Sequence, residues 1–368
     1  MNAERAGRIS APAADLLPSI QWLRAIAAMM VVIHHINFHT DWLREQAGGA
    51  PSVLSSVPWS FGIHIFFVIS GFIMILTTTN FGEPGAWKRF LVRRTLRIVP
   101  LYWILTTMMV AGVWLAPRSI EISGDRFWYI VSSYFFIPVL RTPGDLRPIL
   151  GQGWTLDYEM YFYVALALAT LCTRRLGVGI LTAVFIGLSW LGRDLDVSTP
   201  KLFTWTDGII LEFVLGLYLG LLYQTGWRIR GWVAAGMVVA GTALAMPEFP
   251  LPAVFSAGVP AMMIVGGFVL CPPLKDTMAT QWLTGLGNAS YSLYLSHTLA
   301  LRPLRDVWMR LTDGAWPPFL FFVLGVMVSV FVGCAIHYAV ERPVTRYLNA
   351  RLRASPKKIA LPVVAPAA

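Results

Sequence analysis

Long apolar runs recur along this chain, parted by short basic segments, and that pattern leaves few architectures open. Runs can be drawn at roughly 20–38, 59–79, 98–116, 127–140, 154–173, 177–191, 208–224, 231–247, 253–270, 287–304 and 317–340. Most have the length a helix needs to cross a hydrocarbon core ~30 Å thick. Of the 368 residues, 56% are hydrophobic and only 13% charged, against about 25% charged in soluble domains. Mean hydropathy is +0.62. The expected fold is all-α, a polytopic integral membrane protein. No internal repeat or second domain is visible. Residues 20–347 read as one transmembrane domain, 1–19 as a cytoplasmic N-terminal segment and 348–368 as a disordered cytoplasmic tail. The first run is read as a retained helix, because it is long, carries Arg24 and lacks a small-residue cleavage site.

Net charge is +10. The cations lie in short segments between apolar runs, as the positive-inside rule expects, so the balance points to a lipid bilayer and not to a nucleic acid. Arg5 and Arg8 place the N-terminus in the cytoplasm. Lys88, Arg89, Arg93, Arg94 and Arg97 follow the second run on the same side. Arg174 and Arg175, Arg228 and Arg230, Lys275 and the basic stretch after Glu341 all fall there too. Two cytoplasmic ends require an even number of crossings. The run at 127–140 is too short and is expected to be re-entrant or interfacial. About ten transmembrane helices result. Cys172, Cys271 and Cys334 lie in or at the ends of apolar runs; they make neither a metal spacing nor a disulfide framework and read as packing residues.

Ionisable groups inside spans are costly and mostly face a bundle interior or a water-filled cavity. Arg24 and His35 are eleven positions apart, three helical turns plus about 20°, so they share a face about 16 Å apart along the axis. His34 lies about 80° off that face. Taken alone, Arg24 could instead snorkel to headgroups. In the second run, Ser70-Gly71 admits close approach by either another helix or a ligand. Arg93, Arg94 and Arg97 suit a polyphosphate through their guanidinium forks, although topology alone also accounts for them. Glu159 in "GWTLDYEMYFY" shares a helical face with Thr155, Phe162 and Tyr163. It is expected in the same half of the membrane as His35, within reach of it. Glu212 and His297 are left open between structural and functional roles, and His337 is read as structural.

These residues have a familiar order. Arg24-x10-His35, "FFVISGF" at 66–72, "RRTLRIVPLYW" at 93–103, "WTLDYEMYFY" at 154–163, "SYSLYLSH" at 290–297 and "ERP" at 341–343 together resemble the membrane-bound acyltransferase-3 family, with a likeness to bacterial exopolysaccharide O-acetyltransferases. The resemblance implies transfer of an acetyl group from acetyl-CoA to a hydroxyl of an extracytoplasmic carbohydrate, a surface polysaccharide or its lipid-linked precursor. It implies a multi-pass protein of the bacterial inner membrane with both termini cytoplasmic. His35, Glu159 and Arg24 are the implied catalytic residues. Arg93, Arg94, Arg97, Arg24 and Ser70 would hold the acyl-CoA, and Trp154 and Tyr158 would line the acceptor side. Where His64 stands, acidic residues are also common in the family, so no catalytic role is assigned to it. The expected mechanism is general-base catalysis by His35 oriented by Glu159; a transient acetyl-enzyme on His35 or Ser70 is the variant. Acceptor choice is expected in segments 39–58, 117–153 and 192–207. A transporter or flippase of a glycan or small solute is the rival class, since it too needs polar groups inside a bundle.

Overall fold

A computed structural model describes residues 17–115, 122, 124–246, 250–272, 277–312 and 316–354. Among them the structure is helical, with a single isolated β-bridge between Thr142 and Asp145. In chain order the α-helices are α1 (Pro18–Gln46), α2 (Gly62–Thr77), α3 (Ala86–Leu115), α4 (Arg126–Tyr134), α5 (Trp154–Ala169), α6 (Arg174–Leu191) and α7 (Pro200–Thr206). There follow α8 (Ile210–Gln224), α9 (Gly231–Ala245), α10 (Val259–Leu270), α11 (Met278–Asn288), α12 (Ser290–Thr312), α13 (Pro318–Ile336) and α14 (Arg342–Ala354).

Among the described residues six helical segments are long and apolar enough to cross a membrane: Pro18–Gln46, Trp59–Thr77, Ala86–Trp114, Arg174–Asp194, Pro200–Gln224 and Pro318–Leu352. Two shorter apolar helices, Gly231–Ala245 and Val254–Leu270, accompany them. The run at 127–140 builds no spanning helix. Asp125 caps α4 by accepting hydrogen bonds from the backbone N–H groups of Phe127 and Trp128, and the helix ends at Tyr134. Nine residues rise only about 14 Å. The third apolar run starts earlier than expected: good helix formers let α3 begin at Ala86, so the basic segment is helical. At the other end α14 continues to Ala354, so residues 348–354 of the expected tail are helical; 355–368 lie outside the described residues, as does the segment before Leu17.

In lipid, helices associate by close van der Waals packing rather than by the hydrophobic effect, and small residues permit it. α2 and α8 lie side by side. A Cβ on Gly71 would sit 2.0 Å from the Phe213 carbonyl oxygen, and one on Gly216 would sit 2.1 Å from that of Val68. α11 presses on α1 in the same way, with Gly287 against the Gln21 carbonyl. Phe213 is the centre of an aromatic stack, 4.8 Å from Phe67 and 4.6 Å from Phe162 between ring centroids. By contrast α13 turns Phe319, Leu320, Met327 and Phe331 outward, as a helix facing acyl chains would. The polar interior is thereby left to α1, α2, α3, α5 and α12.

Candidate active site

Five helices line a cavity. α1 contributes Arg24, α2 Ser70, and α3 Arg94 and Arg97; α5 brings Thr155, Glu159 and Tyr163, and α12 Tyr291 and Tyr294. Apolar side chains of α2, among them Phe66, Ile69 and Met74, complete the wall. Ser70 and Gly71 divide two tasks: Gly71 admits the backbone of α8, while Ser70 points into the cavity and donates to Glu159 Oε1 at 3.2 Å. Tyr163, one turn further along α5, donates to the same oxygen at 2.5 Å. Arg24 is buried and reaches Gln21 Oε1 at 3.3 Å, and Arg94 donates to the Thr77 hydroxyl. Three guanidinium groups thus line a space that holds one carboxylate. A surplus of forked donors in a partly dry cavity suits phosphate or pyrophosphate oxygens.

His35 does not line this cavity. It stands about 16 Å further along α1 than Arg24, by helix geometry, on the side away from Arg94. There it meets His297 of α12: His297 Nε2 lies 3.3 Å from His35 Nδ1, with ring centroids 4.9 Å apart. The hydrogen bonds assign both tautomers. A backbone carbonyl only accepts, so His35 Nδ1, 2.9 Å from the Val31 oxygen, carries its proton. His297 Nδ1, 3.1 Å from the Leu293 oxygen, does likewise. His297 Nε2 is then a lone pair facing the His35 Nδ1–H. In the neutral ring this leaves His35 Nε2 as a lone pair, with no hydrogen-bond partner among the described residues.

A polar path joins the two places. Thr155 Oγ1 and the Tyr294 hydroxyl, both on the cavity wall, are 2.8 Å apart. Tyr294 also donates to the Gln152 carbonyl, and the Gln152 side chain accepts from Thr298. The Tyr294 ring lies one helical turn before His297, 6.4 Å away between centroids.

The structure therefore brings Arg24, Ser70, Arg94, Arg97 and Glu159 together and leaves other expected members outside. Arg93 is exposed on α3, turned away from the lining residues. Tyr158 is buried, donates to Asp207 Oδ2 at 3.0 Å and packs on Trp154; neither lines the cavity. Glu159 answers to Ser70 and Tyr163 and not to His35, whose partner is His297. His297 and Tyr294 were the residues sequence reasoning left unassigned. Their signal was the i, i+3 spacing within "SYSLYLSH", which puts both on one face. Two further histidines meet carboxylates, His64 with Glu212 at 2.7 Å and His337 with Glu341 at 2.8 Å. Cys172, Cys271 and Cys334 are free thiols.

A helical bundle with such a cavity and a poised histidine fits the comparison with known families, where the acyltransferase domain family matches residues 17–338. The chain belongs to that family and is an acyltransferase. Among curated relatives, the exopolysaccharide production protein ExoZ of Rhizobium meliloti (strain 1021) is 32% identical over 300 residues, covering 79% of this chain and 90% of that protein. Acyltransferase MdmB of Streptomyces mycarofaciens is 24% identical, covering 91% of this chain and 93% of its own length. Peptidoglycan O-acetyltransferase OatA of Listeria monocytogenes is 22% identical over 76% of this chain but only 49% of the longer protein. No solved structure matches.

Proposed function

We propose that this protein moves an acetyl group from cytoplasmic acetyl-CoA to a hydroxyl of an extracytoplasmic carbohydrate, a surface polysaccharide or its lipid-linked precursor. The observation that carries the reading is the His35–His297 pair. It holds Nδ1–H and leaves Nε2 without a partner, the arrangement in which a neutral imidazole can act as general base for a hydroxyl. The names of ExoZ and OatA, which refer to exopolysaccharide production and peptidoglycan O-acetylation, support a glycan acceptor. The three-arginine cavity supports a donor that bears phosphates.

In this account Arg94, Arg97 and Arg24 take the CoA phosphates, and the pantetheine arm extends past Ser70 toward Tyr294. His35 Nε2 accepts the proton of the sugar hydroxyl as its oxygen bonds to the thioester carbon. The C–S bond breaks, and the departing sulfur takes the proton back from the imidazolium, giving the ester and free CoA. His297 Nε2 accepts from His35 Nδ1–H throughout and so stabilises the transient cation. Trp154 and Tyr158 back the acceptor side from behind the wall rather than touching the cavity. The topology is ten crossings of a bacterial inner membrane, with both termini cytoplasmic. It is supported by the six long apolar segments together with the shorter apolar helices α9 and α10 and with α5 and α12, which line the cavity.

The test is purified protein in liposomes with labelled acetyl-CoA and a panel of lipid-linked and polymeric glycans. Label should move to a glycan hydroxyl and fail to do so with His35→Ala. Label that never leaves CoA while an unmodified glycan or solute crosses the bilayer would refute the reading in favour of a transporter.

A further inference from the structure

Among the described residues six side-chain hydroxyls line the arginine cavity, and five of them have partners. Ser70 and Tyr163 donate to Glu159, Thr155 and Tyr294 share one hydrogen bond, and Tyr291 donates to the Ile98 carbonyl. Ser290 is the sixth. It is 0% exposed, and its Oγ has no partner among the described residues. A serine hydroxyl inside a helix commonly returns to a carbonyl one turn back, as Ser296 does to Ser292. A hydroxyl buried without any partner forfeits its hydration and gains nothing in exchange, so such orphans are rare in folded proteins.

The break between two helices produces this one. α11 ends at Asn288 and α12 begins at Ser290, with Ala289 between them. The Ala289 N–H still donates to the Gly285 carbonyl, and the Leu293 N–H donates to the Ala289 carbonyl. The N–H groups of Ser290, Tyr291 and Ser292 fall between these two bonds and find no acceptor among the described residues. They are the donors that a helix start leaves over. Gly287 sets where this turn lies, since it packs so closely on α1 that a Cβ would sit 2.0 Å from the Gln21 carbonyl oxygen. Arg24, one turn after Gln21, is buried and meets the Gln21 side chain at 3.3 Å. Arg24, Ser290 and Tyr291 line the same cavity. A guanidinium fork and an unpartnered hydroxyl therefore share one enclosed space, and an oxyanion satisfies both.

We propose that Ser290, at the first turn of α12, forms with Arg24 the seat of the donor's pyrophosphate, its hydroxyl donating to an oxygen whose charge Arg24 balances. The inference rests on the acetyl-CoA reading above and names the part of the donor that this wall of the cavity holds. Arg24 shares α1 with His35 and stands about 16 Å before it. The pyrophosphate is where the pantetheine arm begins, and an extended arm covers such a span to bring the thioester to the base. The stretch "SYSLYLSH" then has two working ends. Ser290 holds the donor where its arm starts, and His297 supports the base where the arm finishes.

The experiment measures the affinity of CoA, 3′-dephospho-CoA and pantetheine for purified protein in nanodiscs, by competition with labelled CoA. Wild type, Ser290→Ala, Arg24→Gln and the double variant are compared. Ser290→Ala removes one oxygen atom and adds no bulk. It should weaken CoA and 3′-dephospho-CoA alike, each about tenfold, the scale of one charge-assisted hydrogen bond. Their advantage over pantetheine, which has no phosphate, should narrow by the same factor. In the double variant the loss should be smaller than the product of the two single losses, because both groups hold one pyrophosphate; losses that multiply in full would overturn the shared seat. A loss for CoA but not 3′-dephospho-CoA would move Ser290 to the 3′-phosphate, and an equal loss for pantetheine would reduce its hydroxyl to packing. Either result overturns the proposal. So does an unchanged CoA affinity in Ser290→Ala combined with a raised KM for a lipid-linked glycan, which would assign the oxyanion to the acceptor. These outcomes leave the transferase standing, whereas wild-type protein that retains no labelled CoA would remove the donor reading together with the seat.

Discussion

Two histidines of this protein meet polar partners across helices, and the partners are of different kinds. His35 of α1 faces a neutral His297, while His64 of α2 faces the Glu212 carboxylate at 2.7 Å. The Glu212 side chain is 0% exposed, packed where Gly258 lets its Cγ approach within 3.0 Å of a would-be Cβ. Near it Gly71 and Gly216 bring α2 and α8 into backbone contact. That pair is a clamp: the carboxylate consumes a ring nitrogen, and Glu212 itself is fully buried between the packed helices. His35 is half-buried, its Nδ1–H is held by a carbonyl and a second imidazole, and its other nitrogen is free. The same residue type becomes a base or a strut according to which partner the neighbouring helix supplies.

Substitutions should separate the two histidines, beginning with the largest effect. His35→Ala removes the base and should lower kcat by about 10³-fold or more, within the range for general-base loss, with unchanged yield of folded protein in detergent. His297→Ala leaves His35 Nε2 in place but frees the ring and withdraws support from the imidazolium. The expected cost is about 10²-fold in kcat with little change in the KM for acetyl-CoA, and His297→Gln, which can still accept from Nδ1–H, should recover part of it. Arg94→Gln and Arg97→Gln should do the reverse, raising the KM for acetyl-CoA about tenfold each with a small change in kcat, as initial-rate kinetics would show. His64→Ala tests the clamp. It leaves Glu212 buried without its partner and is expected to lower stability by about 3 kcal/mol, read as a lower Tm, while the protein that remains folded transfers acetyl normally. Loss of turnover with an unchanged Tm would erase the distinction between the pairs.

The smallest expected effect concerns pH and the loop that follows α4. Burial works against the charge of Asp145, but the side-chain and backbone hydrogen bonds from Arg147 and the nearby Arg141 outweigh it and hold the carboxyl below its usual range. A depressed folded pKa adds stability above the unfolded value, near 3.9, and that stability is lost as pH falls through the folded value. Amides of segment 135–150 should therefore keep their hydrogen-exchange protection at neutral pH and lose it first below about pH 4.

Much of this was legible in the chain. Ionisable residues are expensive in apolar runs, so Arg24, His35 and Glu159 marked themselves, and helical period put the first two on one face. The shortness of 127–140 marked a run that builds no helix long enough to cross, and α4 ends at Tyr134. Rotational phase was less legible. Arg93, Arg94 and Arg97 differ only in which way α3 turns them, and packing against α2 and α5 sends Arg94 and Arg97 inward and Arg93 outward. Pairing across helices was not legible at all. His35 and His297 are 262 positions apart, and period alone does not say that α12 rather than α5 carries the partner. That is why Glu159, expected beside His35, lies with Ser70 and Tyr163 instead.

The central claim is the protonation pattern of one ring. Nitrogen-15 solid-state NMR of histidine-labelled protein in liposomes would read it directly, with the His35 signals assigned by their absence in His35→Gln. Here the expected spectrum has a protonated Nδ1 and a bare Nε2 at neutral pH, with the Nδ1 signal moving in His297→Ala. A ring protonated on Nε2, or one indifferent to His297, would contradict the assignment of His35 as a base held by a second histidine.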